Sequence, residues 1–151
     1  MEALLIQISR RLPMPLRAWL DTGRLAALSQ FLRFGLVGTL GFVVDTATVY
    51  ATRSTLGLYW GGAAAYVVAA TTTWLANRLW TFRSTSRASP LRQWMLFLAA
   101  NALGFVLNRG TYALLVSVWD IAWKQPIVAV AAGSIAGMVL NFHLSRRIVF
   151  R

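Results

Sequence analysis

Four long stretches with very few charges, at 31–52, 58–79, 93–119 and 123–144, take up most of this 151-residue chain. Each is long enough to cross a hydrocarbon core that needs ~20 helical residues. Within lipid a segment must satisfy its own backbone hydrogen bonds, and a stretch of this length with no strand-like alternation does so as a helix. The reading is therefore all-α: a polytopic membrane protein of four transmembrane helices. Composition agrees, with 58% hydrophobic and 13% charged residues and a mean hydropathy of +0.59. Four acids and fifteen bases cannot clothe a water-soluble domain of this size.

A net charge of +11 would otherwise raise nucleic acid as a partner. Here the bases gather at the ends of apolar segments, where they meet anionic headgroups, so nucleic acid drops out. Arg10, Arg11, Arg17, Arg24 and Arg33 lie before or at the start of the first span, Arg78, Arg83, Arg87 and Arg92 around the middle loop, and Arg146, Arg147 and Arg151 at the end. Only Arg53 and Lys124 fall at the opposite ends. The positive-inside rule places both termini and the middle loop in the cytoplasm. Residues 1–30 mix Leu4, Leu5, Ile6 and Leu12 with arginines that follow rather than precede the apolar run, interrupted by Pro13 and Pro15. That order reads as an interfacial amphipathic arm and not a secretory signal, with the membrane domain at 31–151.

The chain repeats itself. Leu40-Gly41-Phe42-Val43-Val44-Asp45 parallels Leu103-Gly104-Phe105-Val106-Leu107-Asn108. Asn77-Arg78 followed by Thr81-Phe82-Arg83 parallels Ser145-Arg146 followed by Val149-Phe150-Arg151. Two helical hairpins read as duplicates; an even number of spans per copy gives both the same orientation, with a pseudo-twofold axis along the membrane normal.

These residues resemble the GtrA-like family of small four-span membrane proteins. The marks are Arg33-Phe34 with Val37-Gly38 opening span one, Asp45 within it, Asn77-Arg78-Leu79-Trp80-Thr81-Phe82 closing span two, and Asn141-Phe142, Ser145-Arg146 and Val149-Phe150 closing span four. One departure is Thr73-Trp74, where the family commonly carries asparagine and phenylalanine. The resemblance implies movement of polyprenyl-phosphate-linked monosaccharides from the cytoplasmic to the periplasmic leaflet of the bacterial inner membrane. Its alternative is an adaptor that recruits a glycosyltransferase partner. A homo-oligomer is compatible with the glycine-bearing faces.

Asp45 and Arg109 are charges within the spans. On a helical rise of 1.5 Å per residue Asp45 sits about 18 Å beyond Arg33, and the repeat puts Arg109 opposite Thr46. Facing inward and paired, the two either fix helix register or serve a passing phosphate. Gly38, Gly41 and Asp45 share a stripe, as do Gly133 and Gly137 in span four, which suits close helix packing. Asn101, Asn108, Ser134 and Asn141 either line a groove for sugar hydroxyls or bond one helix to another. Arg78 and Arg146, with Asn77 beside the first, occupy equivalent places and would grip phosphate bidentately if they converge near the axis. Trp80 stands at a span end with other tryptophans, as a headgroup-level belt or a platform for a sugar face. No nucleophile with its base, no paired carboxylates and no metal-ligand spacing appears, so no catalytic residue, metal or cofactor is expected. There is no cysteine.

Overall fold

The structure is a computed structural model that describes Gln7, residues 22–83 and residues 89–151; of Thr22, Leu58 and Tyr59 only the backbone is described. Most of the expected N-terminal arm, and 84–88 of the middle loop with Arg87, lie outside the described residues. Every regular element among the described residues is helical. The chain divides into two compact units, Met1–Arg83 and Ser84–Arg151.

In the first unit helix α1, Thr22–Ala76, is interrupted at Gly57, whose φ of 70° and ψ of 176° fall in a region that only glycine occupies readily. The interruption makes two limbs, 22–56 and 58–76, and the second runs back along the first. A Cβ on Gly61 would stand 3.0 Å from Thr52 Oγ1, and one on Gly41 2.5 Å from Thr73 Cγ2. At the far end Phe34 and Phe82 meet edge to face, ring centroids 6.1 Å apart. The second limb ends in a π-turn, Asn77–Thr81, closed by the Phe82 N–H donating to the Asn77 carbonyl at 2.9 Å.

In the second unit helix α2, Pro90–Val118, starts on an N-cap in which Ser89 Oγ accepts from the Arg92 N–H at 3.3 Å, with proline at its first position. A short helix α3, Asp120–Lys124, leads to α4, Pro126–Leu144, which also begins on proline and passes into a π-turn, Ser145–Val149. Helices α2 and α4 pack backbone to backbone. A Cβ on Gly133 would stand 2.5 Å from the Asn108 carbonyl oxygen, and one on Gly137 2.8 Å from that of Gly104. The glycines of span four therefore do what their spacing suggests. Gly38 does not: nothing lies within 4 Å of its Cβ position.

Among the described residues three helices are long and apolar enough to cross a membrane, Gly23–Gly57, Pro90–Val118 and Pro126–Val149, where the sequence suggested four. The 58–76 limb falls outside this group for a compositional reason: Tyr59, Trp60, Tyr66, Trp74 and three consecutive threonines dilute its apolar residues. Those threonines are not open polar groups, however. Thr71, Thr72 and Thr73 donate to the carbonyls of Val67, Val68 and Ala69, four residues back, at 2.7–2.9 Å. The first span also starts earlier than expected, at residue 22 or 23 rather than 31. Large apolar side chains face outward along the helices, among them Phe42 at 71% and Trp123 at 70% exposure, which suits a surface solvated by lipid.

Candidate functional site

Each unit carries its π-turn where the repeated Asn-Arg or Ser-Arg pair stands. A π-turn loosens the helical hydrogen-bond ladder by one residue and is often found at functional places. In the first unit Asn77 and Thr81, its first and last residues, are 1% and 2% exposed, yet Asn77 Oδ1 and Thr81 Oγ1 have no hydrogen-bond partner in the protein. An orphaned buried polar atom costs about 1–3 kcal/mol, and native interiors hold few. Arg33 reaches across from the first limb: its Nη1 donates to the Trp80 carbonyl at 3.3 Å and its guanidinium lies 5.8 Å from a Trp80 ring centroid. Arg78 places its guanidinium 5.8 Å from the Trp74 ring. Between limb and turn lies a cleft of about 150 Å³, lined by Ser29, Gln30, Arg33, Thr81, Phe82 and Arg83.

The second unit repeats the scaffold with other side chains. Its π-turn buries Ser145, whose Oγ is also without a partner, and closes with the Phe150 N–H donating to the Ser145 carbonyl at 2.9 Å. Phe97 and Phe150 meet edge to face at 6.0 Å, as Phe34 and Phe82 do. Gln93, fully buried, donates through Nε2 to the Val149 carbonyl at 3.1 Å. Arg146 stands exposed on the turn.

Of the other sequence-derived candidates, several gather in the α2–α4 seam. Asn108 Nδ2 approaches Ser134 Oγ at 3.5 Å, and Asn141 stands against Gly104, its Oδ1 buried without a partner. Asn101, part-buried, donates to the Phe97 carbonyl of its own helix at 2.8 Å. Arg109 is exposed, its guanidinium 5.6 Å from the Phe105 ring. Asp45 is half-buried on the first limb; it and Arg109 belong to different units. Thr73, at the departure from the family pattern, spends its hydroxyl on its own helix and turns its methyl group to Gly41.

Sequence reasoning passed over Ser29, Gln30 and Gln93, and met Thr81 only as part of the repeated motif. A signal was present: Gln30 precedes Phe34, and Gln93 precedes Phe97, by the same four residues, which extends the repeat upstream.

Long apolar helices, glycine-mediated helix contacts and a few buried polar atoms together define a multi-pass membrane protein whose polar groups are kept for its helix seams and turn ends. Residues 33–150 match the family described as GtrA/DPMS, transmembrane domain, and the chain belongs to that family. Membership associates it with the handling of lipid-linked sugars. No curated protein sequence matches it closely enough to count as a relative.

Proposed function

We propose that this protein is a carrier that flips a polyprenyl-phosphate-linked monosaccharide from the cytoplasmic to the periplasmic leaflet of a bacterial inner membrane, without catalysing a reaction. The reading takes four crossings, two duplicated hairpins in parallel orientation, and both termini in the cytoplasm. The threonine back-bonds of the 58–76 limb support the fourth crossing, because they remove three hydroxyls from the cost of immersion in lipid. The equivalent placement of the Phe34–Phe82 and Phe97–Phe150 pairs beside π-turns supports the duplication.

One observation carries the functional reading. In a chain this apolar, the side chains of Asn77, Thr81, Asn141 and Ser145 each keep a buried polar atom with no protein partner, at the π-turns and the seam just before them. Such atoms match a polar headgroup that arrives and leaves, with Arg78 and Arg146 drawing its phosphate and Trp80 offering a ring face to the sugar. Asp45 and Arg109, charges within the spans, are costly in lipid unless they serve the passing headgroup. A second copy of the chain would widen the path.

The test is translocation in membrane vesicles. Asp45→Asn, Asn108→Leu and Arg109→Ala are expected to slow flipping by about tenfold or more, the scale of one lost hydrogen bond to a charged group at ~1.5–3 kcal/mol. Arg87→Ala and Arg92→Ala should leave it near wild type. The reverse pattern would point to an adaptor that recruits a glycosyltransferase through its loop.

A further inference from the structure

The two units build one scaffold twice and furnish it differently. On the first limb Ser29, Gln30 and Arg33 fall on one helical stripe facing the end of the π-turn. At the corresponding places before Phe97 the second unit has Arg92, Gln93 and Leu96, and at the ends of the turns Thr81 is matched by Val149. In the second unit Gln93 is committed to the Val149 carbonyl. In the first unit Gln30 Oε1, Arg33 Nε and Thr81 Oγ1 are buried and unpartnered, and they belong to residues lining the cleft. Among the described residues no carboxylate pairs with Arg33 or with Arg83 on the opposite wall. Arg83 is moreover held at φ 45°, a left-handed conformation that residues with a Cβ seldom adopt.

From this asymmetry we infer that the first unit alone carries a phosphate-binding site, distinct from Arg78 and Arg146, in the cleft between Arg33 and Gln30 on the helix, Thr81 at the end of the turn and Arg83 just past it. The guanidinium Nε and the threonine hydroxyl supply donors to phosphate oxygens. The Gln30 carbonyl oxygen supplies an acceptor for a hydroxyl beside the phosphate, so the ligand class is a glycosyl phosphate. Gln30 turns about its terminal torsion, which is soft, and Thr81 about χ1, to meet it. The cleft has a volume of about 150 Å³, the scale of a small headgroup and not of a lipid tail. The site deepens the carrier reading and rests on it only for the lipid form of the ligand, since the same phosphate could arrive on a lipid or on a soluble sugar phosphate.

The experiment is equilibrium binding to the full chain in phosphatidylcholine nanodiscs, with no transport step. The probes are a short polyprenyl monophosphate glycoside, the matching polyprenol, glucose 1-phosphate and inorganic phosphate. The glycosyl phosphate lipid should bind and the polyprenol should not. Competition by glucose 1-phosphate would assign a soluble source and its failure a lipid headgroup; both uphold the site. The double variant R33L/T81V, which installs the side chains found at Leu96 and Val149, should fold, as a thermal melt checks, and should lose about tenfold or more in affinity. R83N, which tolerates the left-handed backbone, should lose several-fold. Wild-type affinity in both variants, equal binding of the polyprenol, no binding of any phosphate probe, or a loss confined to Arg146→Ala would each overturn the site. Binding without transport removes the carrier and keeps the cleft; transport with both variants unaffected does the reverse.

Discussion

At the scale of residues, the helix seams are set by what glycine leaves out. Gly133 lies where a Cβ would meet the Asn108 backbone carbonyl, which cannot swing aside as a side chain would. Gly133→Ala should therefore force α2 and α4 apart and destabilise the protein by about 1–3 kcal/mol. Gly38→Ala, with open space around it, should be neutral or stabilising by up to ~1 kcal/mol through helix propensity. Thermal unfolding in detergent separates the two, and equal melting shifts would contradict the packing described. The contrast marks what was legible. The spacing of Gly133 and Gly137 announced a close helix contact, and the same reasoning misjudged Gly38. In a membrane chain both faces of a helix are apolar, so periodicity finds a stripe and not its partner. Asn101 stands on the same polar stripe as Asn108 and spends its amide N–H on its own helix.

At the scale of elements, one glycine reverses the first unit and two π-turns end the returning helices. Gly57 sits in a backbone region strained by roughly 1–3 kcal/mol for other residues, so Gly57→Ala should lower stability by about that amount although no atom lies within 4 Å of its Cβ position. Circular-dichroism melts check it, and an unchanged melting temperature would mean that the reversal has another origin. The break was visible as the gap between the first two apolar stretches, 31–52 and 58–79. The π-turns were not visible, because they leave the apolar pattern intact and shift only the hydrogen-bond register by one residue. What the repeat did reveal was that something at Asn77–Thr81 and Ser145–Val149 is built alike, and the buried polar atoms give that likeness its chemical content.

At the scale of the whole molecule, three apolar helices and the 58–76 limb set two topologies against each other. The chain has no cysteine, so single cysteines report cleanly. With four crossings, cysteines at Ser54 and Ser89 react from opposite sides of the membrane; with three, they react from the same side. The four-crossing outcome is expected, since the threonine-rich limb satisfies its own hydroxyls. Membership of the GtrA/DPMS family and the all-helical fold were both readable from sequence motifs. The exchange of Arg33 and Thr81 for Leu96 and Val149 stands in the sequence, but the different partners of Gln30 and Gln93 do not, because the two residues are identical and differ only in what they touch.

The most direct test of the carrier is made with the purified protein in liposomes carrying a polyprenyl-phosphate monosaccharide labelled on its headgroup with a reducible fluorophore. A membrane-impermeant reductant reads which leaflet holds the label. If the protein flips the lipid, bleaching proceeds past the outer-leaflet share to near completion, and more slowly in Arg109→Ala. Bleaching that stops at the outer leaflet, with folded protein and several sugar headgroups, contradicts the carrier.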